Sequence, residues 1–259
     1  MLLGVNIDHI AVLREARKIN DPDPLDAVSL SRRAGANQIT IHLREDRRHI
    51  NDYDTKRIIR NSHLPVNLEC AVTKEIIDIV LDLKPHRITL VPENREEVTT
   101  EGGLDIKKHF ERIKEIKEVT KKEGIEVSLF IDPALEIVEL SSKLDVEWIE
   151  LHTGLYSNIY AMLFSNLRYT PHCIKELDLP RETLHVKLQE SLNALIQSSK
   201  LAKELGLKVA AGHGLNYQNV KNIVDIKEIE ELNIGQSIIA RSVFVGFENA
   251  VKEMKELIQ

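Results

Sequence analysis

Along this 259-residue chain, short strand-like runs alternate with segments that carry apolar residues at helical spacing. The strand-like runs fall at Leu2–Ile7, Gln38–His42, Val66–Glu69, Arg87–Val91, Val127–Ile131, Trp148–Leu151, Lys208–Ala211 and Leu232–Ile234. Between them, Asp26–Gly35, Lys74–Leu83, Asp105–Glu123 and Leu192–Leu205 place apolar groups three and four residues apart, and Phe247–Ile258 closes the chain in the same way. That spacing lines one face of a helix, whereas a strand alternates its faces residue by residue. Eight strand and helix alternations in about 250 residues is the arithmetic of a (β/α)8 barrel, here with extra helices. A doubly wound open sheet would alternate as well, but no glycine-rich dinucleotide loop follows the first strand.

The strand faces carry the argument further. In a barrel one face of each strand looks inward and the other meets the helices. Val5/Ile7, Ile39/Ile41, Val66/Leu68 and Ile149/Leu151 make helix-facing pairs, which leaves Asn6/Asp8, Thr40/His42, Asn67/Glu69 and Glu150/His152 pointing inward. A buried polar group without a partner costs about 1–3 kcal/mol. An interior this polar therefore implies a hydrogen-bonded network or a hydrated site rather than inert packing. Residues 154–190 form a long insertion after the sixth strand within a single barrel domain, and the spacing of Tyr156, Tyr160 and Phe164 in it reads as helix packing.

Composition narrows the function. With 42% hydrophobic and 29% charged residues the chain reads as globular, and its net charge of −6 argues against broad nucleic-acid or anionic-membrane binding. No apolar stretch approaches the roughly 18–20 residues needed to cross a bilayer, and the start MLLGVNIDH turns polar too soon for a signal peptide, so a cytoplasmic location is expected. Cys70 and Cys173 are too few for a disulfide framework and lack metal-ligand spacing.

The chemistry concentrates where the strands end. Those ends carry Asp8 and His9, His42 with Arg44, Glu69, Glu93, Asp132, Glu150 with His152, His213 and Gly235. Barrel enzymes place their catalytic groups at the C-terminal strand ends, and imidazoles beside carboxylates exchange protons near neutral pH. In the run TIHLREDRRHI, Thr40–Ile50, a strand breaks into a dense ionisable cluster that suits an anion-binding loop, with a solvated surface loop as the alternative. The segments AGHGL and NIGQSIIAR add glycines at the seventh and eighth strand ends, where close backbone approach and a helix N-terminus favour a phosphate. PENREEVTTEGGLD, 92–105, reads as a closing loop, or equally as a plain solvated one. A Schiff-base aldolase would need a lysine at a strand end, and none of these ends supplies one; Lys208 opens its strand and belongs to the opposite face. A metal-dependent hydrolase would draw on His9, His42, His152 or His213, yet no strand carries an HxH pair and no acidic residue follows the eighth strand.

Taken in order, GVNIDHIAVLREAR, ITIHLREDRRHI, VNLE, LVPENREEVTTEGGLD, IELHTG, AAGHGL and ELNIGQSIIARSVF resemble the pyridoxine 5′-phosphate synthase family over nearly the whole chain. The resemblance implies a (β/α)8 barrel assembled as a homo-octamer, a tetramer of dimers. It implies condensation of 1-deoxy-D-xylulose 5-phosphate with 3-amino-2-oxopropyl phosphate to pyridoxine 5′-phosphate, phosphate and water, with neither metal nor organic cofactor. Carried over by position, it makes His42 and Glu69 proton acceptors, His213 a proton donor and Glu150 a transition-state stabiliser. Asn6, Arg17, Gly214, Gly235 and Gln236 would hold the amino-ketone phosphate, with Arg17 reaching a neighbouring subunit's site. Asp8, His9, Arg44, His49 and Thr99 would hold the deoxyxylulose phosphate. Within the charged run, Glu45, Asp46, Arg47 and Arg48 receive no catalytic role. Two departures stand out: Gln236 occupies a position where many members have histidine, and the 154–190 insertion is longer than in many relatives.

Overall fold

A computed structural model describes residues 1–92 and 102–259. Eight parallel strands close into a barrel in sequence order: β1 (Leu2–Asn6), β2 (Gln38–Leu43), β3 (Val66–Cys70), β4 (Arg87–Leu90), β5 (Glu126–Ile131), β6 (Trp148–His152), β7 (Lys208–Gly212) and β8 (Glu231–Ile234). The barrel closes where β8 pairs with β1, Leu2 facing Glu231 and Val5 facing Ile234. Every strand predicted from the sequence is present, its ends shifted by no more than a residue.

The helices are α1 (Asp8–Glu15), α2 (Pro24–Arg33), α3 (Asp52–Asn61), α4 (Lys74–Leu83), α5 (Ile106–Lys122), α6 (Leu135–Ser142), α7 (Gly154–Phe164), α8 (Arg181–Glu204), α9 (Lys221–Val224), α10 (Gln236–Val245) and α11 (Phe247–Leu257). The five predicted helices appear as α2, α4, α5, α8 and α11. α8 begins at Arg181 rather than Leu192, so the insertion holds α7, two short 3-10 turns and the first half of α8. α1, α3, α6 and α9 were not predicted, and α10 supplies the helix N-terminus expected after the eighth strand. In α3 only Asp54, Thr55 and Ile58 are buried, and its start is fixed by a reciprocal cap between Asn51 and Asp54 instead of an apolar stripe.

The core is the layer between barrel and helices. Val5, Ile7, Ile39, Ile41, Leu68, Ile149 and Leu151 are fully buried there, as their predicted helix-facing positions require. The tyrosines of the insertion pack as predicted: the rings of Tyr156 and Tyr160 lie 6.1 Å apart, those of Tyr160 and Phe164 4.7 Å.

The N-terminal end of the barrel is closed by ions. Arg87 donates to Glu231 at 2.8 Å and Glu126 at 3.3 Å, and its guanidinium lies 3.8 Å from the centroid of the Trp148 ring. Lys208 reaches Glu126 at this same end, away from the strand ends that carry the chemistry. No helix among the described residues is long and apolar enough to cross a membrane.

Candidate active site

A cavity of about 320 Å³ opens at the C-terminal ends of the strands. It is lined by Asn6, Asp8, His9, His42, Arg44, His49, Glu69, Glu150, His213, Gly214, Gly235 and Gln236. Twelve of the fourteen residues to which the resemblance gives a role therefore share one pocket, while Asp132 and His152 from the strand ends do not line it. Arg17 does not line it: it is exposed in the turn after α1. Thr99, and with it Glu93 and most of the 92–105 connection, lies outside the described residues.

At the ends of β2 and β3, His42 Nδ1 lies 3.9 Å from Glu69 Oε2. His42 is buried, and its backbone N–H donates to Asp8 Oδ1 at 2.9 Å, while Asp8 Oδ2 accepts from Asn6 Nδ2 at 2.8 Å. Asp8 thus ties β1 to β2 and fixes the backbone from which His42 projects. His49 returns to the pocket with its ring centroid 6.2 Å from that of His42. The Ile50 N–H donates to His49 Nδ1 at 2.7 Å, so that nitrogen carries the lone pair and neutral His49 holds its proton on Nε2. Arg14 secures this return, gripping Asp54 with two nitrogens and donating to the His49 carbonyl at 3.0 Å.

The charged run divides cleanly. Arg44 is 2% exposed and lines the pocket, its Nε donating to Asp46 Oδ1 at 3.3 Å. Arg47 bridges to Asp52 and Glu75, and Arg48 pairs with Asp46, all at the surface. The Asp46 carboxyl is held well below the usual carboxylate range, chiefly by its hydrogen bond from the Arg48 side chain. Loop structure accounts for these residues.

Across the pocket, Glu150 is 2% exposed, and its Oε2 accepts from Asn233 Nδ2 at 2.7 Å. Asn233 Oδ1 in turn accepts from Thr40 at 3.1 Å. Burial pushes the Glu150 carboxyl up to about 8, and the charge of Glu69 adds to the shift. The neutral form of Glu150, which can donate as well as accept, is thereby favoured.

His213 follows β7 with φ +81, and Gly214 continues at φ +80. This left-handed pair is pinned by Thr153, whose hydroxyl lies 2.7 Å from the Gly212 carbonyl and 2.6 Å from that of His213. A Cβ on Gly235 would come within 2.9 Å of Asn6, so glycine is required where α10 begins. Gly235, Gln236 and Ser237 bring the N-terminus of α10 to the cavity, a place suited to a phosphate.

Sequence reasoning missed Asn233, Phe130, Asn216 and Ser237, which also line the pocket. Asn233 had a signal, its inward position on the eighth strand; Phe130, as an apolar strand residue, had none. Among the described residues, no group of three His, Cys, Asp or Glu side chains converges as a metal site.

A family model described as "Pyridoxal phosphate biosynthesis protein PdxJ" matches residues 3–259. The chain is 68% identical over its whole length to the pyridoxine 5′-phosphate synthase of Aliarcobacter butzleri, covering 99% of that protein. It is 64% identical to the enzyme of the same name from Sulfurovum sp., with all of both chains covered. Among solved structures, phosphoribosyl anthranilate isomerase from Thermococcus kodakaraensis superposes with a TM-score of 0.60 at 11% identity, covering 100% of this chain and 98% of that one. That likeness concerns the fold.

Proposed function

Since the chain belongs to the pyridoxal phosphate biosynthesis protein PdxJ family, we propose that its pocket is that of a pyridoxine 5′-phosphate synthase. It condenses 1-deoxy-D-xylulose 5-phosphate with 3-amino-2-oxopropyl phosphate, releasing phosphate and water. The observation that carries this reading is the convergence of His42, Glu69, Glu150 and His213 on one cavity between anion-binding ends, in a chain that matches the family almost from end to end.

The substrate amine attacks the sugar ketone and water leaves. Protons then shift at carbon, phosphate departs, and an aldol-type closure with a second loss of water completes the ring. The imine forms between the two substrates, so no lysine is required of the protein. Glu69 and His42, 3.9 Å apart, take the successive protons. His213 returns one from the opposite wall. Glu150, whose neutral form burial favours, donates a hydrogen bond to the oxygen on which charge develops.

Arg44, His9, His49 and Asp8 lie on the β1–β2 side and take the deoxyxylulose phosphate, with Thr99 assigned to the same substrate. Asn6, Gly214, Gly235 and Gln236 take the amino-ketone phosphate. Gln236 contributes a neutral amide beside a helix N-terminus, so the α10 backbone carries the charge of that phosphate. Arg17, exposed and outside this pocket, completes a neighbouring subunit's site in a homo-octamer, a tetramer of dimers, in the cytoplasm. Light scattering on the purified protein measures that assembly, and a monomer with full activity would refute the role of Arg17.

The functional test is an assay of purified protein with both substrates, following phosphate release and product mass together. Pyridoxine 5′-phosphate with equimolar phosphate is the expected result; neither product over a range of pH would overturn the reading. Glu69→Gln is expected to keep substrate binding and to lose turnover by about 10²-fold or more. A silent binding protein would be indifferent to that change.

A further inference from the structure

His152 ends β6 and is 7% exposed, yet it lies outside the lining of the pocket. Its ring instead packs against two residues that do line it. The centroid of His213 is 5.0 Å away in an edge-on contact, and that of Phe130 is also 5.0 Å away. On its other side, His152 Nδ1 lies 3.3 Å from Asp132 Oδ1. The same oxygen accepts the Gly103 N–H at 2.9 Å, which fixes the carboxylate from the β4–α5 connection.

The chemistry of this arrangement is directional. An ionised carboxylate only accepts, so Asp132 holds the proton on Nδ1 of His152 and sets the plane of its ring. His152 Nε2 is then left buried and has no hydrogen-bond partner among the described residues. An orphaned ring nitrogen is a cost that packing alone would remove by using phenylalanine. The ring of His152 packs edge-on with that of His213, whose backbone is held by Thr153 in a left-handed conformation. The His152 and Phe130 rings both stand edge-on to the His213 imidazole, at 5.0 and 6.3 Å.

We infer that His152, anchored by Asp132, is a positioning residue that holds the His213 imidazole in the orientation from which it delivers its proton. The inference rests on the reading of His213 as the proton donor. His152 touches neither substrate; it acts through its neighbour.

A double-mutant cycle tests this with the assembled enzyme and both substrates. His152→Phe retains the ring but cannot bond to Asp132. It is expected to lower kcat about tenfold while leaving both KM values within about threefold, because misorientation of a bound group costs turnover rather than affinity. Asp132→Asn is expected to lower kcat in the same sense. In a His213→Gln background, adding His152→Phe is expected to cost nothing more. Should His152→Phe fail to fold by circular dichroism, Asp132→Asn carries the cycle, its side chain being 53% exposed. Wild-type kcat in the folded variants, or a loss that adds fully to that of His213→Gln, would overturn the inference and leave the role of His213 intact. Wild-type turnover by His213→Gln itself would instead overturn the donor assignment, and this inference with it.

Discussion

Glu150 is enclosed in the barrel with Asn233 on one oxygen, and burial followed by the charge of Glu69 disfavours its ionised form. A carboxyl whose folded value lies above its unfolded value stabilises the fold fully below the unfolded value of 4.5, and loses that contribution as pH climbs through about 8. Glu150→Gln removes the titration and retains the shape. Its unfolding free energy, measured by denaturant titration, is therefore expected to fall less between about pH 5 and pH 9 than that of the parent, by on the order of a few kcal/mol. An identical decline in both proteins would place the ionisation elsewhere. At this scale the sequence was legible wherever a titratable group ended an alternating run, as with His42, Glu69 and Glu150. It was silent on Asp132 with His152: both stood out as strand-end groups, but their 3.3 Å contact joins neighbouring strands 20 residues apart and is created by barrel closure. Asp8 shows the same limit. Its pairing with Asn6 is local, whereas its bond to the His42 backbone exists only once β1 and β2 lie side by side.

Elements divide the labour between strands and the segments that follow them. The strands were readable to within a residue because most of them alternate inward polar with outward apolar positions, Phe130 in β5 and Ala210 in β7 being exceptions. Helices whose faces serve the site were hidden. α1 begins at Asp8 and His9, both pocket residues, so its first turn lacks an apolar stripe. The insertion, by contrast, braces the β7 end. Tyr156 donates to the Asn219 carbonyl at 2.8 Å, Tyr160 to that of Gln218 at 3.1 Å, and Thr153 to those of Gly212 and His213. Thr153→Val keeps the side chain's shape and removes the hydroxyl from both carbonyls, leaving the Gly212 carbonyl with the residue-153 backbone N–H at 2.9 Å and the His213 carbonyl with Ser157 at 3.5 Å. It is expected to cost about 0.5–1.5 kcal/mol in denaturant stability, the worth of an ordinary hydrogen bond, and to lower kcat, because the left-handed turn carrying His213 loses its hydroxyl brace. Loss of stability with unchanged kcat would show that the turn holds itself.

Considered as a whole molecule, the barrel separates its two faces by task, with chemistry at the C-terminal ends of the strands and a buried ionic closure at the other. Arg87 and Glu231 are both nearly inaccessible, and Gln38 shares the same Glu231 oxygen at 3.0 Å. Removing one partner of such a pair strands a charge, which costs more than the pair itself contributes. Arg87→Met is therefore expected to destabilise the protein by about 3–5 kcal/mol, seen as a melting temperature lower by roughly 10 °C. Pairing it with Glu231→Leu is expected to recover much of that loss, since the buried Glu231 charge goes too, while Glu126 keeps Trp148 and Lys208. Turnover measured well below the melting transition is expected to stay within about twofold of the parent for both variants, because the closure lies at the far end of the strands from His42 and Glu69. Glu69→Gln should show the opposite profile, with melting preserved and turnover lost. If Arg87→Met instead reduced kcat in the folded enzyme, strain would be passing along the strands, and the separation of stability from catalysis would fail for this barrel.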